Sequence, residues 1–320
     1  MTPEMPTLKP TPIRIEKNFS NVARELRAVF EKKFADPRST KSDRFVWDFW
    51  HIENQYSVLR TPARHYFPKP LFEKLERELV SFGQERLGCN GISDPWISLY
   101  VDGSYQNFHA DSPHGPWAYV YSLTPWKNRE FRGGETLIAK DTLLNFWPAF
   151  TRDRRNERGI EFEDLFAAIP PEFNQLTLFD PRLPHAVKEV RGTRDPLRGR
   201  LVIHGWFVEP RPFVHGALAA KSALHRKTGL HLDTILEPLS RELGKFRALQ
   251  GTAAIRVEIS AAGRPGRQEL LSHTLINTEM PADTELPLAA LRHIAEALDS
   301  ANFPKAAGKS AITIPFLFRN

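Results

Sequence analysis

Between about Trp96 and Val208 the chain is a succession of short runs of β formers, WISLYV, WAYVYSL, ETLIA, QLTLFD, HAVKEV and RLVIHGWF, punctuated by Gly, Pro and Asp. β-Branched and aromatic residues in runs this short fit a pleated, half-buried surface, and turn residues between them bend the chain back. The spacing predicts an all-β sandwich or barrel. The flanks read differently. Phe19, Val22, Leu26, Val29 and Phe30 recur at three-to-four spacing, which predicts a helix over about 15–35. A second helix is expected from about Lys69 to Leu87, with Pro70 in its first turn, Leu71, Leu75, Leu79 and Phe82 inward, and Gly88 as its C-cap. The aromatic-rich FVWDFWHIENQYSVLR between them predicts strand.

A chain of 320 residues is long enough for two domains, and its 41% hydrophobic and 26% charged residues exclude disorder as the default. The boundaries expected are a Pro-rich flexible arm over 1–13, a β domain with N-terminal helices over 14–215, a helical connector over 216–248, and a small α+β domain over 249–320. In the last, AAIRVEIS, a GRPG turn, QELLSHTLI, a helix over PLAALRHIAEALDS and the strand SAITIPFLF give a ββαβ order. The fold class expected is therefore mainly β with flanking helices plus this small unit. The run TRDRRNERG is read as a solvated loop in preference to a substrate-contacting lid.

No stretch approaches the roughly 18 apolar residues of a membrane span, and the N-terminus has Pro and charge where a signal peptide needs an apolar centre, so a cytoplasmic location and no membrane partner are expected. A net charge of +6 without a basic and aromatic stripe gives no reason to expect nucleic acid as a partner. The single cysteine, Cys89, excludes an intramolecular disulfide and multi-cysteine metal sites, so any metal must rest on His and carboxylates.

The segment Tyr105-Gln-Asn-Phe-His109-Ala-Asp111 supplies such ligands. Residues two apart on a strand share a face, so His109 and Asp111 point together. A lone H-x-D is weak, and His231-Leu-Asp233 is a second copy. That copy lies in a helical stretch, where positions two apart diverge by about 200°. His185, opening a strand after a Pro-bracketed turn in LTLFDPRLPHAVKEV, is the third candidate. Two imidazoles and a carboxylate make the facial triad of non-haem iron(II) oxygenases, although zinc or manganese would also fit such a set. In RLVIHGWF, strand parity puts Arg200, Val202, His204 and Trp206 on one face. A guanidinium facing inward needs an anion, which a dicarboxylic cosubstrate provides; Arg198 shares the parity and is a rival.

HAD, GGET, PHAV and RLVIHGWF, in that order over roughly 97–208, resemble the prolyl-hydroxylase-like branch of the Fe(II)/2-oxoglutarate-dependent dioxygenases. The resemblance implies a double-stranded β-helix, or jelly roll, with His109, Asp111 and His185 on Fe(II). It places Arg200 on the distal carboxylate of 2-oxoglutarate, assisted by Tyr100 in preference to Tyr105, Tyr119 or Tyr121. It further implies O2 as cosubstrate, with ascorbate an optional accessory, and hydroxylation of a C–H bond in a peptide or protein side chain or a small molecule, with release of succinate and CO2. Asp111 argues against halogenation, since related halogenases lack that carboxylate. The gap from His185 to Arg200 is longer than in this branch, with RGTRDP as an extension. The C-terminal seventy residues resemble the C-terminal domain of TonB-type proteins, in shape only, which admits a homodimer or a peptide strand added there. The competing reading is a non-catalytic jelly-roll binding protein that holds a metal and acts through its C-terminal module. Zinc-dependent hydrolysis on the same ligands lacks a general base beside them. His204 is read equally well as a substrate or cosubstrate contact and as a satisfied interior histidine, Trp206 as packing around the site in preference to chemistry, and His114 as a solvated loop residue.

Overall fold

The structure, a computed structural model, describes residues 11–36, 38, 46–111, 114–140, 143, 161–281 and 283–319. The expected arm lies outside these up to residue 10, and the TRDRRNERG run lies outside them entirely. The described chain forms two compact units, one of Ile13–Val80 with Gly91–Val208, the other including Ser81–Asn90 and Glu209–Asn320.

The first unit is built on one antiparallel sheet. Its strands are β1 (Ile13–Lys17), β2 (Asp48–Ile52), β3 (Tyr56–Pro62), β4 (Cys89–Ile92, in this unit from Gly91), β5 (Trp96–Tyr100), β6 (Tyr105–His109), β7 (Trp117–Ser122), β8 (Thr136–Ala139), β9 (Phe166–Ile169), β10 (Gln175–Phe179), β11 (His185–Val187) and β12 (Arg200–Pro210, in this unit to Val208). Pairing runs β1-β10-β7-β12-β5-β3-β6-β11-β8-β9, with β2 beside β3 and β4 beside β12. The two ends of this path share one core: Ile13 of β1, Ala118 of β7 and Phe179 of β10 pack with Ile138 of β8 and Ile169 of β9. The sheet is therefore curled onto itself, and burial on both faces explains why QLTLF of β10 is buried at every position. A mainly β, jelly-roll-like core follows, in agreement with the sequence.

Two helices flank it. Ala23–Phe34 buries Ala23, Leu26, Arg27 and Phe30 on one stripe. It starts later than the apolar spacing indicates, because IRIEK pairs as β1 along β10 and Asn18, at φ 53°, turns the chain before the helix begins. Phe19 instead meets Tyr121 edge-on at 5.9 Å. Lys69–Phe82 buries Leu71, Phe72, Leu75 and Leu79, continues as a π-helical turn over Gly83–Leu87, and stops at Gly88 with φ 70°.

In the second unit the sheet runs β13 (Phe213–Gly216), β17 (Ser310–Phe318), β14 (Leu249–Ile259), β15 (Pro265–His273), with β16 (Ile276–Asn277) on β14. The ββαβ order is present, its helix being Glu285–Asp299. Residues Ser222–Leu243 form one long helix whose Leu232 and Leu239 enter the same core as Ile255, Leu291, Ile294 and Ile314. No described helix is long and apolar enough to cross a membrane.

Candidate metal centre

His109 ends β6 and His185 opens β11, and the two are direct partners in the β6–β11 register. Their rings lie 4.2 Å apart between centroids. Asp111, two residues beyond His109, is held by its own amide donating to the Pro181 carbonyl at 2.8 Å. A carboxylate oxygen of Asp111 is 3.2 Å from His185 Nε2, another is 3.7 Å from His109 Nε2, and one ligand atom from each residue lies within 4.8 Å of the others. No other such cluster occurs among the described residues. His231 and Asp233 lie within the helix Ser222–Leu243 and form no part of one, as their helical spacing requires.

The tautomers follow from the backbone. His109 Nδ1 is 2.8 Å from the Asn107 carbonyl and His185 Nδ1 is 2.9 Å from the Leu183 carbonyl. A carbonyl only accepts, so each Nδ1–H donates and each Nε2 turns a lone pair toward Asp111. Two lone pairs and a carboxylate converging on one point repel one another unless a cation lies between them; this donor set fits a divalent metal. Burial and the neighbouring His185 lower the His109 pKa, keeping the ring neutral as a ligand must be. Burial opposes ionisation of Asp111, but its carboxyl is held below the ordinary value whenever the adjacent imidazoles take up a proton, His185 first by hydrogen bond and charge, then His109 and His114 by charge.

The triad opens into a cavity of about 360 Å³ that is also lined by Arg200, Val202, His204 and Trp206, so the parity read in RLVIHGWF is the parity observed. Arg200 is 1% exposed and donates from Nη2 to Thr136 Oγ1 at 3.1 Å. Its guanidinium lies over the Tyr100 ring at 4.5 Å, and Tyr100 is its register partner across β5 and β12. Its Nε and Nη1 are buried without any hydrogen-bond partner. Burial lowers the Arg200 pKa, with Tyr100 and then Glu135 opposing. Arg198, the rival, sits in the turn Pro196–Arg198, half exposed, and pairs with Glu130 and Asp195. His204 is half-buried in the cavity wall, its Nε2 2.8 Å from Ser98 Oγ. His114 is exposed but tilts over Trp206 at 4.4 Å and lines the cavity, which its place in a loop did not reveal. Tyr121 donates to Asn174 Oδ1 at 2.9 Å and Tyr119 packs on Phe207, so Tyr121 serves the core and Tyr119 mainly does.

No protein-family model matches the sequence, and no curated protein does so either. Among solved structures, a prolyl hydroxylase from Trichoplax adhaerens in complex with a hypoxia-inducible-factor peptide fragment is 14% identical, covers 62% of this chain and 84% of its own, and superposes with a TM-score of 0.42. A Pseudomonas putida prolyl-4-hydroxylase is 15% identical over 62% of this chain and 92% of its own, at a TM-score of 0.40. HygX from Streptomyces hygroscopicus, solved with nickel, 2-oxoglutarate and hygromycin B, is 11% identical over 61% of this chain and 81% of its own, at 0.39. Likeness this distant leaves the chemistry to the side chains.

Those side chains include some that sequence reasoning missed. Thr136 belongs to the GGET run, yet nothing in the run says that its hydroxyl meets Arg200; the register of β8 decides that. Gly133 and Gly134, at φ 75° and 82°, are needed for it. A Cβ on Gly133 would sit 1.8 Å from the Glu189 carbonyl oxygen, and one on Gly134 2.9 Å from the Phe131 ring and 3.4 Å from Arg200 Cδ. Gln106, whose amide is 3.0 Å from His109 Nε2, and Arg60 also line the cavity without any local sequence signal.

Proposed function

We propose that the protein is an Fe(II)- and 2-oxoglutarate-dependent dioxygenase that hydroxylates a C–H bond of a peptidyl side chain or a small molecule, releasing succinate and CO2. The single observation that carries this reading is Arg200: a guanidinium buried in the same cavity as the His–Asp–His cluster, with Nε and Nη1 unpaired. A buried cation with open donors is costly, and an anionic cosubstrate satisfies it. A structural metal site has no use for such a receptor, which favours catalysis over the non-catalytic alternative.

In this reading His109, Asp111 and His185 would hold the metal, a set of two imidazoles and one carboxylate that suits iron(II) with further ligands from outside the chain. Iron(II) with 2-oxoglutarate, when bound, supplies the oxidising power for inserting an oxygen atom from dioxygen. The chain supplies the rest. Arg200 would receive the distal carboxylate, while Thr136 fixes one of its nitrogens and Tyr100 packs against its face. Leu183 and Asn107 hold the imidazole tautomers, and Trp50, Trp96 and Trp206 line the cavity, shielding it from bulk water.

The test is anaerobic addition of Fe(II) and 2-oxoglutarate, read as the visible charge-transfer band of the chelate. Wild type is expected to show the band and His185→Ala to lose it. Persistence of the band in His185→Ala removes that residue from the ligand set; absence from wild type overturns the reading.

A further inference from the structure

Arg60 lies in the same cavity and has no assigned task. It stands on β3 opposite Ser98 of β5, whose hydroxyl meets His204, so the β3–β5–β12 register carries it onto the interior face. Its Nε is buried without a hydrogen-bond partner, and its guanidinium lies 5.4 Å from the Trp50 ring and 5.8 Å from the Tyr56 ring. Asp48, opposite it in the β2–β3 register, is exposed and forms no ion pair with it. Among the described residues that line the cavity Asp111 is the only carboxylate, and the proposed metal engages it.

Charge and volume then constrain what else enters. With a divalent ion and a dianionic cosubstrate bound, the charged groups among the described lining residues, Asp111, Arg200 and Arg60, leave one positive charge uncompensated, His204 being neutral. Burial first, then the charges of Arg60 and Arg200, pull the His204 pKa well below its ordinary value. Two aromatic rings, Trp50 and Tyr56, flank Arg60, and cation–aromatic contacts leave the edge of a guanidinium free for an anion. A cavity of about 360 Å³, at the lower end of small-molecule sites and shared with the cosubstrate, has room for a compact molecule.

We infer that Arg60 is a substrate-binding residue that receives a carboxylate, and that the substrate is a small organic acid whose body lies against Trp50 and Trp96. This rests on the oxygenase reading, and it is separable from it. Phenylacetate and phenylacetamide share shape and differ in charge. Their binding to the protein under anaerobic Fe(II) and 2-oxoglutarate is followed by tryptophan fluorescence, with the chelate band recorded in the same sample. Saturating 2-oxoglutarate keeps Arg200 from binding the probe.

Wild type is expected to bind the acid about tenfold more tightly than the amide, or more. Arg60→Gln is expected to bring the two within about twofold, and Arg60→Lys, which retains the charge, to keep most of the preference. Equal binding of acid and amide by wild type, no binding of either, or a preference that survives Arg60→Gln overturns the assignment. So does selective binding of an acetyl-aspartyl peptide with no binding of phenylacetate. A chelate band without acid preference sinks this inference alone, whereas Arg60-dependent acid binding without a band sinks the oxygenase reading alone.

Discussion

His204 is an imidazole in a cavity wall that also carries Arg60 and Arg200, and its cost is readable in acid. Its folded pKa is depressed well below 6.5, first by burial and then by the two guanidiniums. Below about pH 6.5 the unfolded chain therefore binds a proton that the folded chain refuses. Stability falls as pH drops through this window, by up to about 1.4 kcal/mol per pH unit from this residue, and is insensitive to it above. Urea unfolding of the metal-free protein at pH 7.5 and 5.5 checks this: His204→Gln is expected to lose about 1 kcal/mol less than wild type. His109 and His215, whose pKa values are also lowered, act in the same direction in both proteins. An identical pH slope in the two would show that His204 is protonated in the fold.

At the scale of elements, the turn before β8 matters more than its length suggests. Gly133 and Gly134 bring it against Glu189, two residues beyond β11, and against Arg200, and Thr136 follows at once. Gly133→Ala must move the Glu189 backbone as well as hold a left-handed conformation, and should cost roughly 2–4 kcal/mol. Gly103→Ala is the matched control: its φ is 83° but nothing lies within 4 Å of the added Cβ, so only the conformational penalty of about 1 kcal/mol applies. Denaturant midpoints of the two variants separate strain from collision, and equal losses would show that the Glu189 approach is not fixed. Elements also show where reading the sequence succeeded and failed. The strands that carry His109, His185 and Arg200 were legible, since alternation and turn residues are local signals. β1 was not. IRIEK satisfies a helical spacing with Phe19 and Val22 equally well, and only the unpaired edge of β10 makes it a strand.

For the molecule as a whole, every side chain of the candidate site comes from the first unit, while the second has its own core around Leu291, Ile294 and Ile314. Ile294 is fully buried there, and Ile294→Ala should destabilise that unit by about 2–5 kcal/mol. The chelate band of the loaded protein at low temperature is expected to be unchanged, within the error of the titration. Loss of the band would mean that the metal centre needs the second unit intact.

The sequence by itself determined that Arg200 shares a face with Val202, His204 and Trp206, whereas β6 ends at His109 and Asp111 reaches the same point held by its amide bond to the Pro181 carbonyl. Side-chain direction along a strand has period two and is settled within a few residues. Strand pairing is not local, so only the tertiary structure decided that β11 sets His185 opposite His109, that Arg200 turns inward while Arg198 meets Glu130, and that β3 delivers Arg60 to the same cavity. Those choices depend on hydrogen bonds between segments far apart in the chain, and no window of sequence contains both partners.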